Sequence, residues 1–434
     1  MNKFITSLCA VAVVSTSLFA GDSDKKVEEM KKMLEDQGIK PNFVETKLPS
    51  VKLSGYVDTS YVYSPSEGNG ASQSGQKTNL HQFDRDSNDF SVNAVKLALE
   101  KPLSDKNEFT AGFRTDLMYG EDAAILNGAA GINAGSAAFH LEQAYVQFRA
   151  PVGNGLDFKV GKFVTLLGYE VIESPANLNF SRGLLFTYAI PLEHVGALAS
   201  YKFNDTVDMQ LGIVNNWNDD DQSFAVMPTS SRNSFTEAIT GRINVTAPGG
   251  NANIAQSFII SPNGDNGSAF GAAGGSSNVW VYDIWGNWVP KAFNDKLLLG
   301  LNFDIGQFDG RNTFVAGATS PSDALFYGVA AYAKYQFTPK FSLAGRFEYF
   351  VDESGGRVGA AGNAGVAGGA VAKQGNFGSF DVISETVTAS FDLWENMIAR
   401  LEYRYDQVLN QGAAFNNGTN DDQHQVALNF VYSF

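Results

Sequence analysis

In this 434-residue sequence, Arg400, Glu402, Arg404 and Asp406 put a charged side chain at every second position of one short stretch. Residues two apart on an extended chain share a face. Guanidinium and carboxylate groups therefore alternate along one side of a strand, and Leu401, Tyr403 and Tyr405 take the other side. Arg346 and Glu348 repeat the pattern between Phe347 and Tyr349, and Arg114, Asp116 and Arg242 add to it. Such rows are not catalytic constellations. Fixed charges of both signs along a wet cavity order water and act on ions and polar solutes. A lipid-facing position is excluded, because an Arg at mid-bilayer costs roughly 2–4 kcal/mol. The plain alternative is that the charges neutralise one another across strands and solvate the cavity.

Other reactive groups are scattered. His81, His140, His194 and His424 form no local motif, and only His140 and Glu142 share a face at close spacing. No nucleophile–base pattern accompanies them, so an enzyme is not expected. Asp219-Asp220-Asp221 and Asn420-Asp421-Asp422 could hold calcium or bridge lipopolysaccharide, but neither has EF-hand spacing, and they read as solvated acidic loops. The Gly/Ala runs near Gly271 and over 355–369 lack a following GK[ST] and read as flexible tips, not phosphate cradles. No cofactor or metal is expected. A net charge of −15 argues against a nucleic-acid partner and predicts a mild cation preference in any pore, with distant loop acids screened within about 8–10 Å.

The elements that must position the charged rows are strands. The segment 423–434 has Val426, Leu428, Phe430, Tyr432 and Phe434 on one face and Gln425, Ala427, Asn429 and Ser433 on the other. From residue 51 onward the chain repeats such segments of about eleven residues. They fall at 51–63, 95–99, 109–117, 139–149, 156–166, 195–203, 207–217, 234–246, 253–261, 279–289, 296–308, 324–337, 341–352, 380–393, 398–410 and 423–434. Those at 139–149 and 156–166 break alternation midway, which predicts bulges, Gly161 being one candidate. Short connections near Pro102, Gly153, Asp205, Pro248, Pro290, Pro339 and Glu395 alternate with long ones near Gly70, Gly128, Ala176, Asp220, Gly271, Gly317, Gly365 and Gly418.

No stretch of 18 apolar residues lies in the body, which excludes a helical membrane span there. The expected fold is all-β: a transmembrane antiparallel up-and-down barrel of about sixteen strands over 51–434. A barrel that wide encloses water rather than a side-chain core. The 44 Gly, 16 Tyr and 33 Phe suit many strands, glycine-rich loops and aromatic girdles.

The third long connection, 167–194, is the candidate constriction. It carries Glu170, Glu173, Arg182, Glu193 and His194, yet Leu184, Leu185, Phe186, Tyr188 and Ile190 are too apolar for a loop exposed to water. Packed on the inner wall, its acids would face wall arginines and set up a transverse field. It would otherwise cap the barrel outside or pack a neighbouring subunit.

Before the strands, 1–20 reads as a signal peptide with Lys3, an apolar core and Ala20 as the cleavage point. It contains Cys9, the only cysteine, so a mature chain has neither disulfides nor thiol chemistry and a charge of about −16. The span 21–50 holds a short amphipathic helix in the periplasm, with Val27, Met30 and Leu34 at helical spacing ahead of Gly38 and Pro41.

The stretches Leu53-Ser54-Gly55-Tyr56-Val57-Asp58, Ala94-Val95-Lys96-Leu97-Ala98-Leu99-Glu100, Gly120-Glu121-Asp122-Ala123, Val160-Gly161-Lys162-Phe163 and Asn177-Leu178-Asn179-Phe180-Ser181-Arg182 resemble the OmpL-like β-barrel porins. The terminal strand is similar to the closing strand of outer-membrane barrels. That likeness implies export to the outer membrane, contact with its lipid and lipopolysaccharide, and Phe430, Tyr432 and Phe434 as a signal to the barrel-assembly machinery. The inward third loop and a homotrimer are what likeness to general porins implies, although the Pro-Glu-Phe-Gly-Gly loop motif of those proteins is missing.

The functional expectation is a porin for passive diffusion of small hydrophilic solutes and ions. Two alternatives stand beside it: a channel selective for sugars or ions, and a non-conducting anchor or adhesin filled by its loops.

Overall fold

A computed structural model describes residues 51–65, 76–77, 80–84, 86–104, 106–126, 139–218, 238–262, 278–312, 321–353, 357, 379–410, 415 and 420–434. The expected leader, the helix at 22–37, Asp219-Asp220-Asp221, the Gly271 run and most of 355–369 lie outside the described residues.

The strands in chain order are β1 Lys52–Tyr63, β2 Gln76–Lys77, β3 Asp86–Ser87, β4 Asp89–Lys101, β5 Thr110–Tyr119, β6 Phe139–Ala150, β7 Leu156–Val164, β8 Glu193–Lys202 and β9 Val207–Val214. They continue as β10 Ala238–Thr246, β11 Ala252–Ser261, β12 Val279–Trp288, β13 Leu297–Asn312, β14 Pro321–Thr338, β15 Phe341–Asp352, β16 Phe380–Trp394, β17 Met397–Val408 and β18 Asp422–Ser433. All but the small β2–β3 hairpin close into one sixteen-stranded antiparallel barrel, each strand beside its sequence neighbour and β1 beside β18. The seam runs from Tyr56↔Ser433 to Tyr63↔Val426. Beyond it, Phe434 and Gly55 exchange two backbone hydrogen bonds, both 2.9 Å. The chain therefore has no open strand edge at its C-terminus, the hazard that full closure removes.

The period-two pattern decides which way each residue points. On β17, Leu401 and Tyr403 are 50% and 44% exposed on the outer face, while Glu402 and Arg404 are 2% and 1% exposed inside. Near one rim, the outer face carries stacked aromatics, including Phe148–Phe158 and the run Phe337–Phe341–Phe391. Tyr61 packs on Phe90 toward the opposite rim. These are the two aromatic belts expected where a barrel meets the membrane surfaces.

Besides register shifts near strand ends at Phe308/Arg311, Gln336/Thr338 and Asp392/Trp394, two bulges and one glycine kink within the strands depart from strict alternation. Between β1 and β4 the register shifts, so that Asp58 pairs with Ala94 and Thr59 with Val92; Asn93 is the extra residue, and both Asn93 and Ala94 turn inward. Between β5 and β6, Glu142 is the extra residue, and Glu142 and Gln143 are both buried. The break expected in β7 arises differently. The register there is continuous, but Gly161 takes φ +134°, a value that suits glycine, and its neighbours Lys162 and Phe163 are both buried. Each departure brings a polar side chain into the interior.

Strand ends shift modestly from the sequence reading. The strand expected over 207–217 stops at Val214, and the one over 156–166 stops at Val164. Glu193 and His194, expected in the long connection, are the first two residues of β8. A one-and-a-half-turn helix, α1 Glu121–Leu126, follows β5 and packs against β4, β5 and β6.

Candidate functional site: the inward connection and its wall

The connection 165–192 runs along the inner faces of β11 to β17 and reaches across to β4. Leu166, Leu167, Ile172, Phe180, Leu184, Leu185, Phe186, Tyr188 and Ile190 are buried. Its apolar run thus packs as the sequence predicts. A buried connection must also satisfy its backbone polar groups, and here wall side chains do so. Arg400 donates to the carbonyls of Ser174 at 3.0 and 3.1 Å and of Asn177 at 3.2 Å. Glu402 accepts from the amides of Phe180 at 2.6 Å and Ser181 at 2.9 Å. Arg346 donates to the carbonyl of Ser181 at 2.6 Å, and Arg404 to that of Arg182 at 2.8 Å. Glu348 accepts from the amide of Leu185 at 3.2 Å. Guanidiniums take carbonyls and carboxylates take amides, so the mixed row on β15 and β17 acts as a surrogate strand edge. Gly183 makes the close approach possible, because a Cβ there would run into the Glu348 carboxylate.

This arrangement refines the expected roles. Arg346, Glu348, Arg400, Glu402, Arg404 and Asp406 do face inward, but all are at most 3% exposed beneath the connection and the segment 80–84. Of the wall residues anticipated from sequence, Arg114 and Arg242 keep partial exposure. The charges of the connection do not face the wall across a gap. Glu170 touches Arg346 at 2.7 Å, and Arg346 also lies 2.9 Å from Glu348. Arg182 lies 3.4 Å from Asp122 of α1. Glu193, on β8, lies 2.6 Å from Lys162 and 2.7 Å from His140. Arg114 pairs with Asp116 at 2.9 Å and with Glu100 at 3.3 Å. Glu173 contacts Lys96 of β4.

Lys96 was missed from sequence. Its ammonium sits among three carboxylates, Asp116 at 3.1 Å, Glu142 at 2.9 Å and Glu173. Those carboxylates have metal-ligand spacing, but the lysine occupies their centre. The alternation of β4 does point Lys96 inward. The bulge that delivers Glu142 is the break in alternation expected within 139–149, although the pattern alone does not name the extra residue. Beside this cage, Asp58 accepts from Asn93 at 2.7 Å and from Asn429 at 2.5 Å, joining β1, β4 and β18.

A second inward piece was also missed. Segment 80–84 lies against β17 and β18. His81 Nε2 is 2.7 Å from Asp406, and Nδ1 is 2.9 Å from Asp84, close enough for an ion pair though not aligned as a hydrogen bond. Gln423 donates to the same Asp406 carboxylate at 2.9 Å and Gln425 to Asp84 at 2.9 Å. Phe83 packs on Phe186 edge-to-face and under the Arg182 guanidinium, so 80–84 braces the connection 165–192. Burial and Arg404 oppose a charge on His81, but Asp84 and Asp406 outweigh them and raise its pKa above the ordinary 6.5. Asp84, despite its burial, is lowered to about 2, chiefly by His81.

A raised His pKa gives a contribution that is complete below the ordinary value and is lost as pH rises through the folded one. The thermal transition of the folded barrel should therefore fall as pH rises above the ordinary imidazole value of 6.5. In His81→Gln it should start lower and lose most of this pH dependence. Equal slopes in the two proteins would show that His81 is not the titrating brace.

A closed barrel of sixteen strands, apolar outside, charged inside and with a connection packed on its inner wall, is the architecture of an outer-membrane channel of the porin class. The chain belongs to the family described as "Putative beta-barrel porin-2, OmpL-like", whose model matches residues 50–434. It is accordingly an outer-membrane porin, a channel for passive diffusion.

Solved porins share the fold at low identity. An anion-selective porin from Comamonas acidovorans is 11% identical with a TM-score of 0.56, over 89% of this chain and 99% of that one. The outer membrane channel DcaP of Acinetobacter baumannii is 12% identical with a TM-score of 0.52, over 88% and 97%. The trimer form of OmpT from Vibrio cholerae is 12% identical with a TM-score of 0.52, over 89% and 99%. A search of curated protein sequences finds no match.

Proposed function

We propose that 165–192 is the constriction of this channel and that small hydrophilic solutes and ions cross the barrel past it, without catalysis. The observation that carries the reading is the hydrogen bonding of this connection to Arg346, Glu348, Arg400, Glu402 and Arg404 on the inner wall. In this reading Glu170, Glu173, Arg182 and Glu193 hold the narrowing in place, and the β15 and β17 charges form the wall behind it. Arg114 and Arg242 line the path itself, with Asp116 paired behind Arg114.

An aromatic cluster favours a selective variant of this reading. Tyr169 of the connection stacks on Tyr332 at 4.2 Å and meets Trp285 edge-on at 5.6 Å, under the Arg242 guanidinium. Planar bilayers decide between them. A general diffusion pore gives nearly ohmic steps proportional to bath salt, and a selective one is blocked by its solute at low concentration. Silence from folded, heat-modifiable protein would sink both and favour a loop-filled anchor.

The outer face meets outer-membrane lipid and lipopolysaccharide, and three copies assemble as in the trimer form of OmpT. Phe430, Tyr432 and Phe434 serve as the signal to the assembly machinery. Deleting Phe434 removes two backbone bonds at the seam. The expected result is a severalfold drop in folded barrel in the outer membrane, read as the heat-modifiable band. An unchanged yield would remove Phe434 from that role.

A further inference from the structure

We infer that the part of the lumen near the short-turn rim is an anion-attracting vestibule, built around Lys159, Arg242 and Lys334, and that the channel prefers small anions such as carboxylates and phosphate. The inference rests on the reading of this barrel as a conducting pore.

Charge inside the barrel is layered. Arg114, Lys159, Arg242, Lys334, Arg346 and Arg400 all point inward, three to five positions inside the short-turn ends of β5, β7, β10, β14, β15 and β17. Most of the buried acids, including Asp304, Glu348 and Asp406, lie farther from that rim, whereas Asp283 lies level with the basic layer, five positions inside the short-turn end of β12. Within the basic layer, Arg346 and Arg400 are covered by the connection, and Arg114 is matched by Asp116 and Glu100.

Lys159, Arg242 and Lys334 differ. Each is partly exposed, and among the described residues none has a carboxylate within ion-pair distance. Lys159 lies 4.4 Å from the Tyr145 ring centre, and the Arg242 guanidinium 5.1 Å from that of Trp285. Aromatic faces hold these cations in place without neutralising them. Asp208 and Asp283 act on Arg242 only at longer range, and Asp208 is itself engaged by the Asn244 amide at 2.9 Å. At the same rim Arg149 and Asp157 cancel in a paired contact at 2.6 and 2.7 Å.

The balance of unpaired, accessible charge in this layer is therefore positive, although the chain carries −15 overall. A permeating ion feels charges within about 8–10 Å at physiological salt. The local layer should outweigh distant acids and reverse the preference that net charge alone suggests.

The test is the reversal potential of the full-length protein in planar bilayers under a potassium chloride gradient. It is compared with Lys159→Gln, Arg242→Gln and Lys334→Gln singly and together, and with Lys202→Gln at the rim as a control. The wild type should pass chloride over potassium, and the triple variant should lose that preference while the control keeps it. A second measurement needs no variant: inorganic phosphate added on the short-turn side should block wild-type current in a concentration-dependent way. Wild-type current that favours potassium, or a triple variant with unchanged selectivity, overturns the inference and leaves the channel reading intact. A wild type that folds but carries no current overturns both.

Discussion

Replacing Arg346 by Met is expected to destabilise the barrel by about 3–5 kcal/mol and to free 165–192 from the wall. Its side chain is fully buried and meets Glu170 at 2.7 Å, Glu348 at 2.9 Å, the carbonyl of Ser181 at 2.6 Å and Thr386 at 3.1 Å. Methionine fills much of the volume but supplies no donor, so two buried carboxylates lose their countercharge and a loop carbonyl its guanidinium donor together. The cost comes mainly from those stranded groups. Glu170→Gln and Glu348→Gln, added to Arg346→Met, should recover a large part of the loss. The midpoint of the heat-modifiable transition reads stability. Single-channel records should show larger and noisier steps in Arg346→Met. A transition within about 0.5 kcal/mol of wild type would mean that the row does not anchor the connection.

Lys96→Met should be comparably severe, again about 3–5 kcal/mol, for a related reason. One ammonium balances Asp116, Glu142 and Glu173. Without it, β5, β6 and the connection bring three acids together with Arg114 as a nearby countercharge, held on Asp116. Like charges at this spacing repel strongly where water is scarce. The damage should fall when Glu142→Gln and Glu173→Gln are introduced into the same chain, whereas either substitution in the wild type should be mildly harmful. A double-mutant cycle on the thermal transition measures this coupling. Additive effects, with no rescue, would contradict the cage.

Much of this was legible because barrel strands obey a period of two. The inward set Arg400, Glu402, Arg404 and Asp406, the outward set ending at Phe434, the alternation of short and long connections, and the burial of 184–190 all follow from local pattern. What the pattern could not give is the partner of each inward charge. Arg400 meets Ser174 and Arg346 meets Ser181 across long stretches of chain, and no local rule pairs them. A row of mixed charge in a barrel reads as pore lining, whereas here it binds the backbone of a buried connection. His81 and Lys96 escaped notice because each depends on contacts assembled from several elements. The extra residues at Asn93 and Glu142 also break the register by which inward and outward are counted.

The most direct measurement is current through a channel that carries one cysteine in the connection, at Val171, which is 41% exposed. With Cys9, the single cysteine of the sequence, replaced by Ser, that thiol is the only one to react. A charged thiol reagent should lower the single-channel current in a discrete step, and a reducing agent should restore it. Complete labelling, verified by mass, with no change in current would show that ions bypass 165–192, and the assignment of that connection as the constriction would fail.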